Sequence, residues 1–315
     1  MEKLLGETIT TGLDIGVLKK SSMSKLNVDT TVQEKAISFP TDAKLYHRMR
    51  EKLVELSKEH GVILRQSYKF KSKYAYYWRG RYTSCRQTKR ANKQQKSLKT
   101  YLGRVVRDIE RKVAGSEKLQ SVFSEPLSLA RRLLSQKRHD KNKVYSLHAR
   151  EVECIAKGKA HKKYEFGCKV SVLATSKECF IMGMKAYHGN PYDGHTLDDA
   201  VLQAESITGF KAKEIYVDRG YRGHNYRGEA EVRIAGRGRK RLKASVRKWL
   251  KRRSAIEAVI GHAKTDGRLG RNYLLGREGD KINAILSGCG YNIRKLLKAL
   301  LFCLFFCRQR SLSSV

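Results

Sequence analysis

The sequence lacks three features that mark exported or membrane proteins. Its seven cysteines are odd in number and scattered without a C-x-x-C pair, which suggests reduced thiols and neither a disulfide framework nor a zinc site. The N-terminus has no apolar signal core. The apolar stretch at residues 296–307 is shorter than the about 20 residues that cross a bilayer. These absences predict a cytosolic protein without membrane contact.

Acidic residues are scarce as well. The chain has 30 Asp and Glu against 67 Lys and Arg, a formal net charge of +37. Because such a surface repels itself unless a polyanion is present, nucleic acid is the expected partner, and an anionic membrane surface is the weaker alternative. The 315 residues, 40% of them hydrophobic, are sufficient for the core of one large domain or two ordinary ones.

Residues 213–223, with the sequence KEIYVDRGYRG, carry the most informative local pattern. Apolar residues two apart predict a buried strand, and this strand ends in Asp218. The glycines that follow permit a sharp turn, to which Arg219 and Arg222 add positive charge. An ordinary β-turn with a solvated Asp218 is the alternative.

Two further acids lie within regular patterns. Residues 25–33 alternate as a strand with Asp29 in its middle, where Asp is disfavoured; a solvent-facing Asp29 on an edge strand is the alternative. Residues 244–264 predict one helix, on which Glu257 and Lys264 lie within about 40° of Arg253. A solvated helix face with an Arg–Glu pair would give the same pattern.

The remaining patterns predict a mixed order of helices and strands along the chain. Basic and aromatic residues interleave at 69–82, which fits either a nucleic-acid surface or the core of a helical layer. A loop is predicted at 188–197. Helices are predicted at 1–20, 41–60, 98–118, 127–136, 197–208 and 281–306, and strands at 143–148, 164–174 and 178–187.

A mixed sheet covered by helices can bring Asp29, Asp218 and Glu257 to one edge. Three carboxylates in close contact are unstable without cations, because like charges raise one another's pKa. Their hard oxygen ligands favour Mg²⁺ or Mn²⁺. Two such ions about 4 Å apart would stabilise the attacking and leaving oxygens of a displacement at phosphorus.

On four sequence blocks the chain resembles DDE-type insertion-sequence transposases. The blocks are VDTTVQ at 28–33, HGNPYDGHTL at 188–197, YVDRGYRG at 216–223, and RRSAIE at 252–257 followed by His262 and Lys264. The resemblance extends from near residue 4 to about residue 300. It implies an RNase H-like fold: a mixed sheet flanked by helices, with a helical insertion after the first strand.

The resemblance also implies roles for individual residues. Asp29, Asp218 and Glu257 would be the catalytic acids that bind two Mg²⁺ or Mn²⁺ ions. The family pattern around the Glu is Tyr, two residues, Arg, three residues, Glu, six residues, Lys; Leu250 stands at the Tyr position, which leaves the role of that ring open. The residues expected to bind DNA are Arg253, Lys264, Arg219, Arg222 and His262.

The function implied is metal-dependent cleavage and strand transfer of DNA, acting on insertion-sequence ends and target DNA. The protein is expected in the bacterial cytoplasm with the nucleoid, as a homodimer and without a membrane. The alternatives are a catalytically weak or inactive remnant that binds DNA nonspecifically, and a host nuclease of the same fold.

The resemblance implies a domain order of a remnant N-terminal helix at 1–24, a catalytic domain at 25–300 with a basic helical insertion at 41–142, and a tail at 301–315. Relatives usually carry a DNA-binding domain before the first Asp, so a truncated copy or a late start codon is expected. Residues 1–20 are then expected to be partly frayed, with Leu4, Leu5 and Leu13 unpacked.

Overall fold

The computed structural model describes residues 1–137, 139–141, 143–156, 162–236 and 242–312. Two compact units divide the chain: the first combines Met1–Ala36 with Glu153–Val315, and the second is Ile37–Val152. The strands are β1 (Lys25–Glu34), β2 (Glu153–Ala156), β3 (Tyr164–Thr175), β4 (Ile181–Tyr187), β5 (Glu214–Val217) and β6 (Glu231–Ile234). The helices are α1 (Glu2–Asp14), α2 (Asp42–Glu59), α3 (Lys69–Ser84), α4 (Thr88–Val113), α5 (Glu117–Ser135), α6 (Leu197–Thr208), α7 (Ala244–Arg252), α8 (Ala255–Thr265) and α9 (Gly276–Leu312).

The first unit contains the sheet, with β1 at its centre. Strand β1 pairs antiparallel with β3 on one side and parallel with β5 on the other, and β5 pairs parallel with β6. The other edge of β3 pairs with β2 and then with β4, both antiparallel. A core cluster joins the sheet to α1, α6, α8 and α9, and α7 packs Leu250 with Tyr216 of β5 in a separate cluster. This mixed sheet with flanking helices, and with α2–α5 after β1, confirms the predicted RNase H-like α/β fold.

The second unit consists of helices α2–α5 around a core of its own. Helix α2 begins after Thr41, whose hydroxyl accepts a hydrogen bond from the amide of Lys44 at 3.3 Å, as its N-cap pattern predicts. Residues 69–82 lie in helix α3, and only part of their aromatic set packs in a core. Tyr76 packs against the core, whereas Phe70, Tyr74 and Tyr77 are exposed.

Two sequence-based element predictions are wrong, and two strands were missed. Residues 143–148 form no strand: Val144 and Ser146 alternate inward, but their backbone pairs with no strand among the described residues. The helix predicted at 244–264 is two helices, because the carbonyl of Arg252 accepts a hydrogen bond from Asn27 (3.3 Å), where α7 ends. Strands β2 and β6 were not predicted at all.

The N-terminal helix is packed, contrary to the expectation of fraying. Leu5 is fully buried in the core cluster and Leu13 packs at its margin, although Leu4 is exposed. The side-chain amide of Asn292 on α9 donates to the hydroxyl of Thr8 at 3.1 Å. At the other end, α9 extends through most of the predicted tail, and residues 313–315 lie outside the described residues. Among the described helices, none combines the length and hydrophobicity needed to cross a bilayer.

Candidate active site

Asp29 and Asp218 lie side by side at the centre of the sheet. The parallel register of β1 and β5 pairs Asn27 with Tyr216, and the two acids stand two residues further along each chain. Because side chains alternate across a strand, both acids share a face with that pair. Strand β1 lies between β3 and β5, so the edge-strand alternative for Asp29 is wrong.

Backbone amides orient both carboxylates. Oδ1 of Asp29 accepts a hydrogen bond from the amide of Thr30 at 2.7 Å. Oδ1 of Asp218 accepts one from the amide of Gly220 at 2.8 Å, capping the 3₁₀ turn Arg219–Tyr221. A Cβ at Gly220 would lie 3.0 Å from that same oxygen, closer than nearly all real contacts. The glycine therefore keeps the space beside Asp218 open.

Arg253 connects Asp29 with the acid on the next helix. Its guanidinium Nη1 is 3.7 Å from Oδ2 of Asp29, and Nη2 is 3.5 Å from Oε1 of Glu257. The Arg253 side chain is 15% exposed, whereas that of Glu257 is 68% exposed. The Arg–Glu pair of an ordinary helix face is thus present, but the same guanidinium also reaches the sheet.

A fourth acid, Asp193, faces the same place. Its Oδ1 accepts hydrogen bonds from the Thr30 hydroxyl and from Nζ of Lys169, both at 2.8 Å. Its Oδ2 lies 3.4 Å from where a Cβ of Gly220 would be, beside Asp218. We call Asp29, Asp193, Asp218 and Glu257 the acid site. The sequence analysis did not include Asp193 as a site residue, although it is the one acid in the block at 188–197; only the packing shows that it turns inward.

The phenol of Tyr221 lies beneath three of these acids. Tyr221 is fully buried, and burial raises its pKa well above the ordinary range, with the charges of Asp29, Asp193 and Asp218 raising it further. The ring therefore stays neutral at any physiological pH. It places an uncharged ring beside the carboxylates of the acid site.

The structure also shows where the remaining predicted site residues and Leu250 lie. Nζ of Lys264 is 3.7 Å from Oε1 of Glu165 on β3. Nδ1 of His262 is 3.2 Å from Oδ2 of Asp266, one turn along α8. Leu250, at the family's Tyr position, is buried against Tyr216 and so fills a core position. Arg219 and Arg222 are exposed on the turn after Asp218.

Comparisons with known proteins identify the family of this chain. The family model described as transposase DDE domain matches residues 131–293, just over half of the chain, which includes Asp218 and Glu257 but begins after Asp29. A curated relative, "Uncharacterized protein ORF8 in nfe locus" from Rhizobium meliloti, is 42% identical over 87 residues. That stretch covers 28% of this chain and 42% of the relative's length. No solved structure matches the chain. With a family match over half its length, this chain belongs to the DDE-type insertion-sequence transposases.

Proposed function

We propose that this protein catalyses metal-dependent cleavage and strand transfer of an insertion sequence, with Asp29, Asp218 and Glu257 as the metal ligands. The parallel register of β1 and β5 carries this proposal, because it brings Asp218, which directly follows β5, next to Asp29 on the central strand. Arg253 then links one of them to Glu257. Paired acids at the centre of a sheet have little structural value, since strands disfavour Asp and like charges repel.

The acid site offers the donor chemistry for two divalent ions, although among the described residues no three of its carboxylates have oxygens within 4.8 Å of one another. Its ligand atoms are carboxylate oxygens, which suit Mg²⁺ and Mn²⁺. Side-chain cations also offset these carboxylates: Arg253 lies beside Asp29, and Lys169 lies beside Asp193. When bound, the ions would stabilise the negative charge that develops on the attacking and leaving oxygens at phosphorus.

The chain's own residues position the DNA. Arg253 lies between two acids, where its planar guanidinium can bind a phosphate oxygen near the scissile bond. Arg219 and Arg222 on the exposed turn, with Lys264 and His262 on α8, would contact neighbouring phosphates. In the reaction, water breaks one phosphodiester and frees a 3′-hydroxyl, and that hydroxyl then attacks a phosphate of the target DNA.

Partners and location follow from this function. DNA is the substrate at both the element ends and the target, and two ends are brought together most simply by a homodimer. A bacterial cytoplasmic protein with a net charge of +37 would associate with the nucleoid through phosphate contacts.

The first prediction concerns the three ligands. Asp29→Asn, Asp218→Asn and Glu257→Gln each keep side-chain volume but remove a negatively charged ligand. We expect each to abolish Mg²⁺-dependent nicking of an element-end duplex while DNA affinity changes less than about threefold, because phosphate contacts supply the affinity. Nicking is followed on gels, and Mn²⁺ binding by calorimetry reports on the site separately.

Two surface variants provide matched controls. Asp14→Asn at the end of α1 and Glu229→Gln are exposed changes of the same chemistry, and neither should alter nicking or Mn²⁺ binding. A ligand variant that keeps full Mg²⁺-dependent nicking would refute its assignment. An unmutated chain that neither nicks DNA nor binds Mn²⁺ would refute the proposed function.

A further inference from the structure

A second group of ligand-type side chains lies apart from the acid site. Cys168 is on β3, His188 follows β4, and Asp280 is near the start of α9. One ligand atom from each lies within 4.8 Å of the other two. Asp280 is 3% exposed and His188 12%. We call these three residues the Cys168 cluster. Nothing in the proposed DNA chemistry uses it.

The ring of His188 is the unusual feature of the cluster. Both ring nitrogens are buried, and among the described residues neither makes a full hydrogen bond, although Nδ1 interacts at longer range with the Glu153 carboxylate. Its Nε2 is 3.6 Å from Oδ2 of Asp280, and its Nδ1 is 3.5 Å from Oε1 of Glu153. A buried polar group left without a hydrogen bond is costly, so this arrangement needs an explanation.

The separation of His188 and Asp280 fits two ligands on one ion. At 3.6 Å the two atoms are too far apart for a hydrogen bond. Two atoms bound to a tetrahedral Zn²⁺ with bonds of about 2.0–2.2 Å are about 3.4 Å apart. The distance between these two atoms is therefore close to the distance between two ligands of one ion. The buried thiol of Cys168 lies beside them.

We propose that Cys168 Sγ, His188 Nε2 and Asp280 Oδ2 bind a Zn²⁺ ion. Thiolate, imidazole and carboxylate are the three ligand types that Zn²⁺ takes in proteins. Metal-bound histidines usually donate their other ring N–H to an acceptor, and Glu153 would be that acceptor for His188. The amide of Gly189 donates to the same Glu153 oxygen at 2.6 Å, which holds that carboxylate in place.

The surrounding side chains orient Asp280 and balance the charge. Oδ1 of Asp280 accepts from Nζ of Lys35 and from Nδ2 of Asn272, both at 2.7 Å, so Oδ2 is the oxygen that faces His188. With a metal bound, the Cys168 thiolate and Asp280 offset the two charges of Zn²⁺. Lys35, which is paired with Asp280, adds one positive charge and Glu153 adds one negative charge, so the ion and these residues together carry no net charge.

The thiol must lose its proton when the ion binds. Burial, and secondarily the charge of Asp280, raise the pKa of Cys168 well above its ordinary range, so the metal-free protein carries a neutral thiol. Binding of Zn²⁺ releases that proton to solvent and forms the Zn–S bond. No electron transfer is involved.

Such a site would fix the position of the loop that carries Asp193. His188 is five residues before Asp193 in that loop, and Cys168 is next to Lys169, whose ammonium binds Asp193 at 2.8 Å. The ion would connect this loop to β3 and to α9. The role we assign to it is structural.

The test uses the full-length protein, stripped of metal with a chelator and then titrated with Co²⁺ in the absence of DNA. Tetrahedral Co²⁺ with a thiolate ligand absorbs in the visible and near ultraviolet, which Mg²⁺-type carboxylate sites do not reproduce. We expect one equivalent with thiolate bands, displaced by one equivalent of Zn²⁺. Cys168→Ala and His188→Asn should each weaken binding more than the about 10- to 100-fold that outer-shell changes cost.

Cys289→Ala is the matched control, because Cys289 is buried on α9 but is not part of the cluster. It should keep the bands. X-ray absorption on the Zn²⁺-loaded, unmutated protein gives a second readout that needs no variant to fold: one sulfur at about 2.3 Å with nitrogen and oxygen neighbours. Absence of thiolate bands in the unmutated protein, their survival in Cys168→Ala, or a zinc shell without sulfur would each overturn the proposal.

Discussion

Arg253 determines the charge balance of the acid site, since its guanidinium is close to both Asp29 and Glu257. The second prediction is that Arg253→Ala reduces cleavage by about 10²–10³, the usual cost of losing one group that stabilises transition-state charge. DNA affinity should change by less than about tenfold, because one phosphate contact is a small share of the total. Single-turnover nicking and fluorescence anisotropy measure the two effects separately.

Two further variants sharpen this prediction. Arg253→Lys keeps the charge but not the planar fork, and should recover only part of the lost rate. Arg247→Ala removes an exposed arginine of α7, and should weaken DNA binding more than it slows cleavage. Equal effects of the Arg247 and Arg253 changes on cleavage would contradict a specific role for Arg253.

At the scale of single elements, helix α3 presents an exposed aromatic surface. Phe70, Tyr74 and Tyr77 are exposed on a helix that also carries lysines. The third prediction is that Tyr74→Ala and Tyr77→Ala each weaken binding of single-stranded DNA by about 5- to 100-fold, since base–ring stacking is worth about 1–3 kcal/mol per base. Binding of a blunt duplex should be nearly unchanged, because its bases are already stacked.

The salt dependence separates stacking from charge on the same helix. The tyrosine changes should leave the slope of log affinity against log salt unaltered. Lys73→Ala, a matched exposed change on α3, should reduce the single-strand slope by about 0.7. If the tyrosine variants weakened duplex and single-strand binding equally, these rings would not be a stacking surface.

Elements with their own periodicity were predictable from sequence, and those fixed by neighbours were not. Strand β1 and helix α2 show clear alternation or capping. Strands β2 and β6, of four residues each, are strands because β3 and β5 pair with them. The break between α7 and α8 comes from a hydrogen bond to Asn27, which is far away in sequence.

The same distinction applies to the sites. The blocks around Asp218 and Glu257 are local in sequence, so a resemblance could mark them. Asp193 is only one of three acids close together in its stretch, and its inward position depends on Lys169 and Thr30. The Cys168 cluster takes its members from β3, a loop and α9, and no spacing rule for cysteines could reveal it.

For the whole molecule, buried tyrosines make stability depend on alkaline pH. Tyr46 in the second unit and Tyr291 in the first have pKa values raised to about 12, chiefly by burial. Burial raises the pKa of Tyr187, Tyr216 and Tyr221 too. In the unfolded chain these phenols titrate near about 10. Above that pH the unfolded state loses protons that the folded state keeps, so the free energy of unfolding must fall as pH rises.

Net charge acts in the opposite direction as the pH rises toward the sequence pI. Near the sequence pI of about 10.1 the excess of positive charge vanishes, and the loss of self-repulsion should stabilise the compact state. We nevertheless expect the urea midpoint, followed by circular dichroism, to fall between about pH 10 and 12. Tyr46→Phe removes one buried phenol and should lose less stability over that interval than the unmutated protein, whereas Tyr74→Phe, at an exposed position, should lose as much. A midpoint that does not fall between about pH 10 and 12, or that falls equally in all three proteins, would mean that burial of the Tyr46 phenol does not control the alkaline limit of this fold.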